Sequence, residues 1–253
     1  ENRVKDPIIS FQMFRNRLYA TSNLIAILSG AAFGAAVTYI PIFIQGVLGG
    51  TATNAGLVLL PMMIGSVLTS TTSGFLMTRM SYRSIIIPSL IILVIGLALL
   101  TTLKPESTQW TVTIYMILIG LSIGASFSMV GNAAIHPFTA RQQGTASATN
   151  SFLRSLGMIL GTTIFGIFQS HVMTSKLMDA LAGSSQSAWP QSALLNPTTR
   201  AQIPSPVLDK IIESLSSSIV YTFAWSLVPA VLALAISFLM SNEKLGPREG
   251  TVE

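Results

Sequence analysis

The chain has 253 residues, of which half are hydrophobic and only 9% are charged, with a net charge of +5. A soluble domain carries about a quarter charged residues, so this chain cannot cover its own surface in water and needs lipid as a solvent. The absence of cysteine excludes disulfides, thiolate metal sites and cysteine nucleophiles. The basic residues cluster at one side of the predicted membrane helices, which explains the positive charge without nucleic acid as a partner.

Six segments each offer roughly 20 mostly apolar residues without an acid, the length that a helix needs to cross a lipid bilayer. Hydrocarbon offers no partner for backbone N–H and C=O groups, so each segment must be helical. The predicted spans are residues 18–45, 54–77, 84–103, 110–136, 148–172 and 217–240. The sequence therefore predicts an all-α membrane protein that folds as a six-transmembrane-helix bundle.

The spans lie in a predicted transmembrane region of residues 18–240, between a lead-in of residues 1–17 and a tail of residues 241–253. A long outer loop, residues 173–216, is either a solvated connector or a lid. Within it, residues 207–215 alternate in polarity at helical spacing, which predicts an amphipathic segment on the outer surface. Ten of the 14 basic residues fall on the side that holds both termini, so both ends are expected in the cytoplasm.

Three spans carry pairs of glycines four residues apart: Gly30 and Gly34, Gly120 and Gly124, and Gly157 and Gly161. In the second span, Ser66, Ser70 and Gly74 continue the pattern. Such stripes let helix backbones approach closely, so they predict helix–helix contacts. The third and sixth spans are mostly aliphatic, and we expect them toward lipid, with the other four around an interior. The correspondence of helices 1–3 with helices 4–6 predicts two three-helix inverted repeats.

Short motifs follow one another over nearly the whole chain, at Pro7, Pro41, Gln45, Arg141 and residues 14–17, 47–49, 55–57, 60–61, 74–83, 144–146 and 153–157. Their order resembles the C-terminal half of a bacterial major facilitator superfamily transporter of the fourteen-helix drug:proton antiporter, or multidrug efflux, family. The resemblance implies one half of a major facilitator fold in the bacterial plasma (inner) membrane. It also implies efflux driven by the proton gradient, without a cofactor.

The missing partner of this half is expected to be an N-terminal half, on the same or a separate chain, because the sequence begins at Glu1 rather than at a methionine. None of the nine acids lies within a predicted span, so the carboxylates that exchange protons are expected in that half. The lipid bilayer is the second partner. A sparsely polar interior favours amphiphilic or cationic small-molecule drugs as cargo.

The same residues also bear on other functional classes. An enzyme is not predicted, since the sequence shows no Gly-rich phosphate loop or metal-ligand spacing, and His136 and His171 lie at opposite ends of their spans. Two alternatives stay open: half of a solute importer of the same superfamily, and a structural membrane subunit that transports nothing. An importer should present more buried amide and charged groups to hold a polar ligand.

Candidates for the substrate cavity are aromatic, methionine and amide side chains on helices 1 and 4, which suit a site of broad specificity. They are Asn23, Phe33, Tyr39, Gln45, Tyr115, Phe127, Met129 and Asn132. Each of these side chains also fits plain helix packing, so the set predicts a cavity wall rather than individual contacts.

Residues 74–83 resemble the cytoplasmic gate loop of the superfamily, and Gly74, Arg79 and Arg83 occupy matching positions. Thr78 stands where the family has an aspartate and Ser81 where it has a glycine, which weakens a gate role in this half. The two arginines also fit a simpler role as cytoplasmic topology anchors.

Two further residues are candidates for a proton relay or for the interface between the halves. His136 lies near the cytoplasmic end of the fourth span, where it is either a relay or an interfacial residue. Arg154 lies about one turn inside the fifth span. It either extends its long side chain toward the cytoplasm or pairs across the interface between the halves.

Overall fold

The computed structural model describes residues 11–181 and 204–242, and every regular element within these ranges is helical. A short turn of 3-10 helix, Phe11–Arg15, precedes the long helices. These are α1 (Arg17–Ile42), α2 (Ala52–Leu76), α3 (Tyr82–Leu100), α4 (Gln109–Ile135), α5 (Ala140–Leu181) and α6 (Ser205–Leu239). In the described ranges, six helices are long and apolar enough to cross a membrane, which confirms the predicted fold class.

The last two helices are longer than the predicted spans. Because α5 continues to Leu181 and α6 begins at Ser205, helix extends into both ends of the predicted outer loop of residues 173–216. The predicted amphipathic segment forms the first turns of α6, with Ile211 buried and Asp209 exposed. Hydropathy detects only the stretch that suits lipid, whereas a helix continues as long as its backbone bonds and packing allow. The rest of the loop (182–203), residues 1–10 of the lead-in and the tail from residue 243 lie outside the described residues.

Local signals set both ends of α1. The Asn16 side chain caps the helix by accepting a hydrogen bond from the backbone N–H of Tyr19 at 3.2 Å. After Pro41, which offers no N–H, the helix widens into a π-helical turn, Phe43–Val47. The chain then leaves the helix at Gly49, whose φ of 70° lies in the left-handed region that favours glycine.

The helices pack in a pattern that repeats internally. α1 packs mainly against α5 and α6, and α4 packs mainly against α2 and α3. α1 also contacts α4, and α3 contacts α6. Exchanging helices α1–α3 for α4–α6 reproduces these contacts, as two related three-helix repeats require.

Burial is greatest in the helices at the centre of this pattern. Of the most apolar stretch in each helix, 56% is buried in α1 and 50% in α4, but only 22% in α2 and 17% in α5. α3 differs from the expected lipid-facing position, because it packs on α4 and α6 and 44% of its apolar stretch is buried. The most exposed helices are therefore α2 and α5, on which the sequence places small and polar residues.

Candidate substrate cleft

A cleft of about 450 Å³ opens between α2, α4 and α5. Its polar lining comprises the hydroxyl groups of α2 and α4 and one charged side chain on α5. Residues that line the cleft include Ser66, Ser70, Thr71, Phe127, Ser128 and Arg154. α3 and α6 contribute nothing to its lining, as expected for the aliphatic helices. The cleft is therefore a polar concavity on a helical surface that is otherwise largely apolar.

Glycines bring α4 and α2 into backbone contact beside the cleft. A Cβ atom added at Gly120 would clash with the carbonyl oxygen of Met62, and one at Gly124 would clash with that of Ser66. Only a residue without a side chain fits this approach, because backbone atoms cannot move aside as a flexible side chain can. The prediction that these glycines mark a helix–helix contact is confirmed.

A second pair of glycine stripes joins α1 to α5 and fixes the backbone that carries Arg154. A Cβ at Gly30 would lie 2.5 Å from the carbonyl oxygen of Arg154. A Cβ at Gly157 would clash with the carbonyl oxygen of Ile27, and one at Gly161 would lie 2.7 Å from Cα of Ala31. Both helices contribute glycines to this contact, which confirms the prediction that the glycine pairs of α1 and α5 mark a helix–helix contact.

A chain of polar side chains crosses from α5 to α1. Nη2 of Arg154 donates to Oδ1 of Asn150 at 3.0 Å, and Nδ2 of Asn150 donates to Oδ1 of Asn23 at 3.1 Å. Nδ2 of Asn23 in turn donates to the carbonyl oxygen of Tyr19 at 3.0 Å. Both asparagines are 1% exposed. These buried amides are hydrogen-bonded, as polar groups at membrane depth must be.

The guanidinium of Arg154 is also held by α4. Nη2 donates to the carbonyl oxygen of Phe127 at 3.3 Å, and Cζ lies 4.4 Å from the centroid of the Phe127 ring. A cation over an aromatic face is attracted by the ring quadrupole. The side chain thus lines the cleft beside Phe127, and its partner Asn150 lies one helical turn nearer the predicted cytoplasmic end of α5. Both alternatives for Arg154, extension toward the cytoplasm and pairing across the interface between the halves, stay predictions.

The predicted cavity residues divide into those that meet at Arg154 and those that lie elsewhere. Asn23 joins the polar chain, and Phe33 packs edge-on against Phe127 with ring centroids 5.7 Å apart. Tyr39 is buried near the C-terminal end of α1, and its hydroxyl lies near Gly166 of α5. The four residues Asn23, Phe33, Phe127 and Arg154 thus form one cluster.

One cavity prediction disagrees with the structure, and another concerns a residue outside this cleft that stays a prediction. Met129 is 0% exposed in the hydrophobic core, so it cannot line a cavity wall. Tyr115 lies near the other end of α4, where its hydroxyl is 3.5 Å from Oγ1 of Thr102. Twelve residues of helix separate it from Phe127, or about 18 Å at the rise of an α-helix. Neither position could be recognised from helical spacing alone, because apolar residues face both lipid and protein in a membrane helix.

The two predicted amides at the ends of these helices bond to their own helix. Nε2 of Gln45 donates to the carbonyl oxygen of Pro41 at 3.3 Å, in the π-helical turn. Nδ2 of Asn132 donates to the carbonyl oxygen of Ser128 at 2.8 Å. Neither lines the cleft, and a role for them in binding cargo stays a prediction.

The remaining predicted positions lie away from the cleft. Arg79 is exposed in the connection from α2 to α3, Arg83 is half-buried in the first turn of α3, and Gly74, on α2, has open space where a Cβ would lie. The ring of His136 lies 5.4 Å from that of Tyr82, on α3. His136 and Arg154 therefore belong to different environments. The gate and relay roles stay predictions.

Sequence reasoning overlooked the hydroxyl groups of the cleft. Ser66 and Ser70 were read only as small residues for packing, although Thr69–Ser73 is an uninterrupted run of five hydroxyl side chains within a membrane span. Such a run is costly in lipid unless it faces protein or water. That signal pointed to a polar surface on α2.

Six membrane-length helices in two related triplets, with a polar cleft on one side, define half of the bundle of a membrane transporter. The chain belongs to the Major Facilitator Superfamily, whose sequence profile matches residues 2–162. Membership in this transporter family also agrees with the prediction that the chain is not an enzyme, and it makes the chain a multi-pass membrane protein.

The sequence is similar to those of two bacterial transporters. The chain is 42% identical over 253 residues to Multidrug resistance protein 3 of Bacillus subtilis, covering 97% of this chain and 49% of that protein. It is 28% identical over 239 residues to Multidrug transporter protein MdtP of the same organism, covering 87% and 44%. The chain thus spans about half the length of these relatives.

A solved structure supports the fold. The bacterial homologue of the human lysosomal transporter Spinster, in an inward-facing and unoccupied conformation, matches with a TM-score of 0.57 at 16% identity. The match covers 98% of this chain and 54% of that structure. At this identity the similarity concerns the fold alone, and it agrees with half of a major facilitator bundle.

Proposed function

We propose that this chain supplies the C-terminal half of a proton-coupled multidrug efflux transporter in the bacterial plasma membrane, with both termini in the cytoplasm. The observation that carries the proposal is the polar cleft on the side where α2 and α5 are most exposed. Lipid cannot cover a guanidinium and several hydroxyls without a large desolvation cost. A second bundle must cover this face, and a cavity between two bundles is a route for cargo.

The relatives favour efflux over the alternatives. Two of them carry multidrug resistance or multidrug transport in their names, and both are about twice as long as this chain. Their additional length is enough for the second bundle. Import of a polar solute is the alternative that the polar groups at the cleft would suit, since Arg154 lines it and is bonded to the buried Asn150, but neither relative is named for import.

Proton coupling is assigned to the companion half. The predicted spans contain no acid, and the acidic side chains of the described residues, Glu106, Asp209 and Glu213, are exposed near the α3–α4 connection and the start of α6. A proton-exchanging carboxylate at membrane depth must come from elsewhere. We therefore expect amphiphilic drugs as cargo and the proton gradient as the energy source, with no cofactor. A cationic drug would need an acid from the companion half.

The test is drug accumulation in energised cells that lack their own efflux pumps. This chain is expressed alone, with the N-terminal half of Multidrug resistance protein 3, and with that half plus a protonophore. Efflux only from the pair, abolished by the protonophore, is the expected result. Efflux from this chain alone would contradict the half-transporter role. Accumulation rather than export would support the importer, and no movement of any compound by the inserted pair would support the structural role.

The orientation has a separate test, because the natural sequence has no cysteine to interfere with labelling. Single variants Thr78→Cys and Glu106→Cys place a thiol at exposed positions on opposite sides of the predicted membrane. A membrane-impermeant maleimide should label only residue 106 in intact cells, and both residues after permeabilisation. The reverse pattern in intact cells would place the termini outside.

A further inference from the structure

Arg154 carries a charge at membrane depth that the described part of the chain does not neutralise. It lies six residues past the start of the predicted fifth span, about 9 Å along the helix axis. Its hydrogen bonds go to the neutral acceptors Asn150 and Phe127, and none of the acidic side chains that the structure describes, Glu106, Asp209 and Glu213, pairs with it. A buried charge without a counter-charge is costly, so a lone guanidinium here indicates a missing anion.

The guanidinium is fixed in place but keeps donors available. Nη2 makes both hydrogen bonds, and within the described ranges Nη1 makes none, so Nη1 is the nitrogen available to an acceptor. Nε also has no partner, but it is fully buried. The Phe127 ring and the backbone contact at Gly30 restrict where the side chain can go. Little conformational entropy remains to be lost when an acceptor arrives, which favours binding by a preorganised donor.

Hydroxyl groups supply further donors in the same cleft. The side chains of Ser70 and Ser128 donate no hydrogen bond to any described residue, unlike Thr71, whose hydroxyl donates to the carbonyl oxygen of Val67 at 2.9 Å. One cation, two uncommitted hydroxyls and no acid form a donor set that suits an anion. Arginine and carboxylate match in charge and planarity, and their hydrogen bonds are among the strong ones.

We propose that the cleft around Arg154 is a carboxylate-binding site. The carboxylate belongs either to an amphiphilic cargo molecule or to an acidic side chain of the companion half that closes the cleft. The inference rests on the proposed function, which it deepens by naming the chemical group that the cavity recognises. If the carboxylate is the cargo's, the expected cargo is also narrowed, because Arg154 repels a drug that carries only positive charge.

The first test measures binding to this chain without requiring transport. The full chain is placed in nanodiscs of zwitterionic lipid and titrated with a xanthene dye that carries a free benzoate, and with the ethyl ester of the same dye. Fluorescence anisotropy should show about tenfold tighter binding of the acid than of the ester, the gain expected from a charge-assisted hydrogen bond. The preference should vanish in Arg154→Gln and persist partly in Arg154→Lys.

The matched control is Arg141→Gln, which removes the same charge from an exposed position on the same helix, outside the cleft. It should keep the preference for the acid. Equal affinities of the wild-type chain for acid and ester would overturn the proposal, as would a preference that survives in Arg154→Gln. Thermal unfolding of each variant separates a lost preference from a lost fold.

The second test identifies the source of the carboxylate. The chain and its companion half are expressed together, and export of both dyes is measured with Arg154 and with Arg154→Gln. Loss of export of the acid dye alone assigns the carboxylate to cargo. Equal loss of both dyes assigns it to the companion half, and no change in either dye overturns the proposal. If the wild-type pair exports no compound at all, the proposed function fails, while the binding measurement still decides the carboxylate site.

Discussion

The α1–α5 and α2–α4 interfaces correspond to each other in the internal repeat, and both depend on glycine. In α1–α5, glycines on both helices face the partner backbone, and a buried pair of asparagines closes the contact. In α2–α4, the close approach comes from Gly120 and Gly124 on α4 only. Gly65 of α2 has ordinary contacts at 3.5 Å. The one-sided interface leaves space for the cleft.

The difference shows how one packing scheme supports two tasks. The hydrogen-bonded chain from Arg154 through Asn150 to Asn23 joins α5 to α1 and holds Arg154 in a defined position, since buried hydrogen-bonded networks are rigid. The hydroxyls of α2 face that arginine across open space instead of bonding to another helix. The repeat therefore provides a rigid side that positions the charge and an open side that receives a ligand.

The largest effect is expected from filling the backbone contacts. Gly157→Ala should destabilise the chain by about 3 kcal/mol, the upper end of the cost of overpacking, because the new methyl meets the backbone of Ile27. Gly124→Ala should cost less, since α2 is little buried and can shift outward. Unfolding by sodium dodecyl sulfate in mixed micelles measures both.

The control for this pair is Gly144→Ala, on α5 with open space around it. It should stabilise the chain by about 0.5–1 kcal/mol, because alanine loses less backbone entropy than glycine in a helix. Destabilisation by Gly124→Ala equal to that of Gly157→Ala would contradict the distinction between a rigid and an open interface.

The next effect concerns the buried amide pair. Asn150→Ala removes the acceptor of Arg154 and the donor to Asn23, so two buried polar groups lose a partner. We expect a loss of about 2 kcal/mol in unfolding free energy, within the range for unsatisfied buried groups. A matched variant, Ser151→Ala, changes an exposed residue on the same turn and should have little effect. A neutral result for Asn150→Ala would show that the polar chain does not hold α5 against α1.

The next variant supplies the missing anion within the chain. We expect it to change the affinity for the acid dye and to change the unfolding free energy less than the variants above. Asn150→Asp places a carboxylate 3.0 Å from Nη2 of Arg154, if the side chain keeps its position. The variant should lose the roughly tenfold preference for the acid dye over its ester, because Arg154 is then neutralised. An unchanged preference, measured by anisotropy in nanodiscs, would mean that another group in the cleft recognises the carboxylate.

The smallest effect is expected on the open side. Ser70→Ala removes one uncommitted hydroxyl from the cleft and should weaken binding of the acid dye about threefold, as the loss of a single modest hydrogen bond does. Thr72→Ala, on the same helix but outside the cleft lining, should leave affinity unchanged. Equal effects of both variants would remove the α2 hydroxyls from the site.

Much of the fold could be predicted before the structure. The first four predicted spans agree with their helices within a few residues, and the glycine pairs were correctly expected to form helix contacts. Because an unpaired amide in hydrocarbon is costly, residue type alone requires Asn23 and Asn150 to face protein or water, and both are buried and hydrogen-bonded. The candidate site was less predictable: of the predicted cavity residues, Phe127 lines the cleft and Phe33 packs against it, whereas Met129 is buried in the core.

The sequence by itself determined which segments cross the membrane and where their backbones touch, because transfer into lipid and close packing at glycine depend on residues that are local in the chain. The tertiary structure alone decided which face of each helix points inward. In water an apolar face identifies the core, but lipid is as apolar as a protein interior, so this signal is lost. For that reason the contacts of Arg154 with Asn150 and Phe127, and the cleft across from α2, became apparent only once α1, α4 and α5 were packed together.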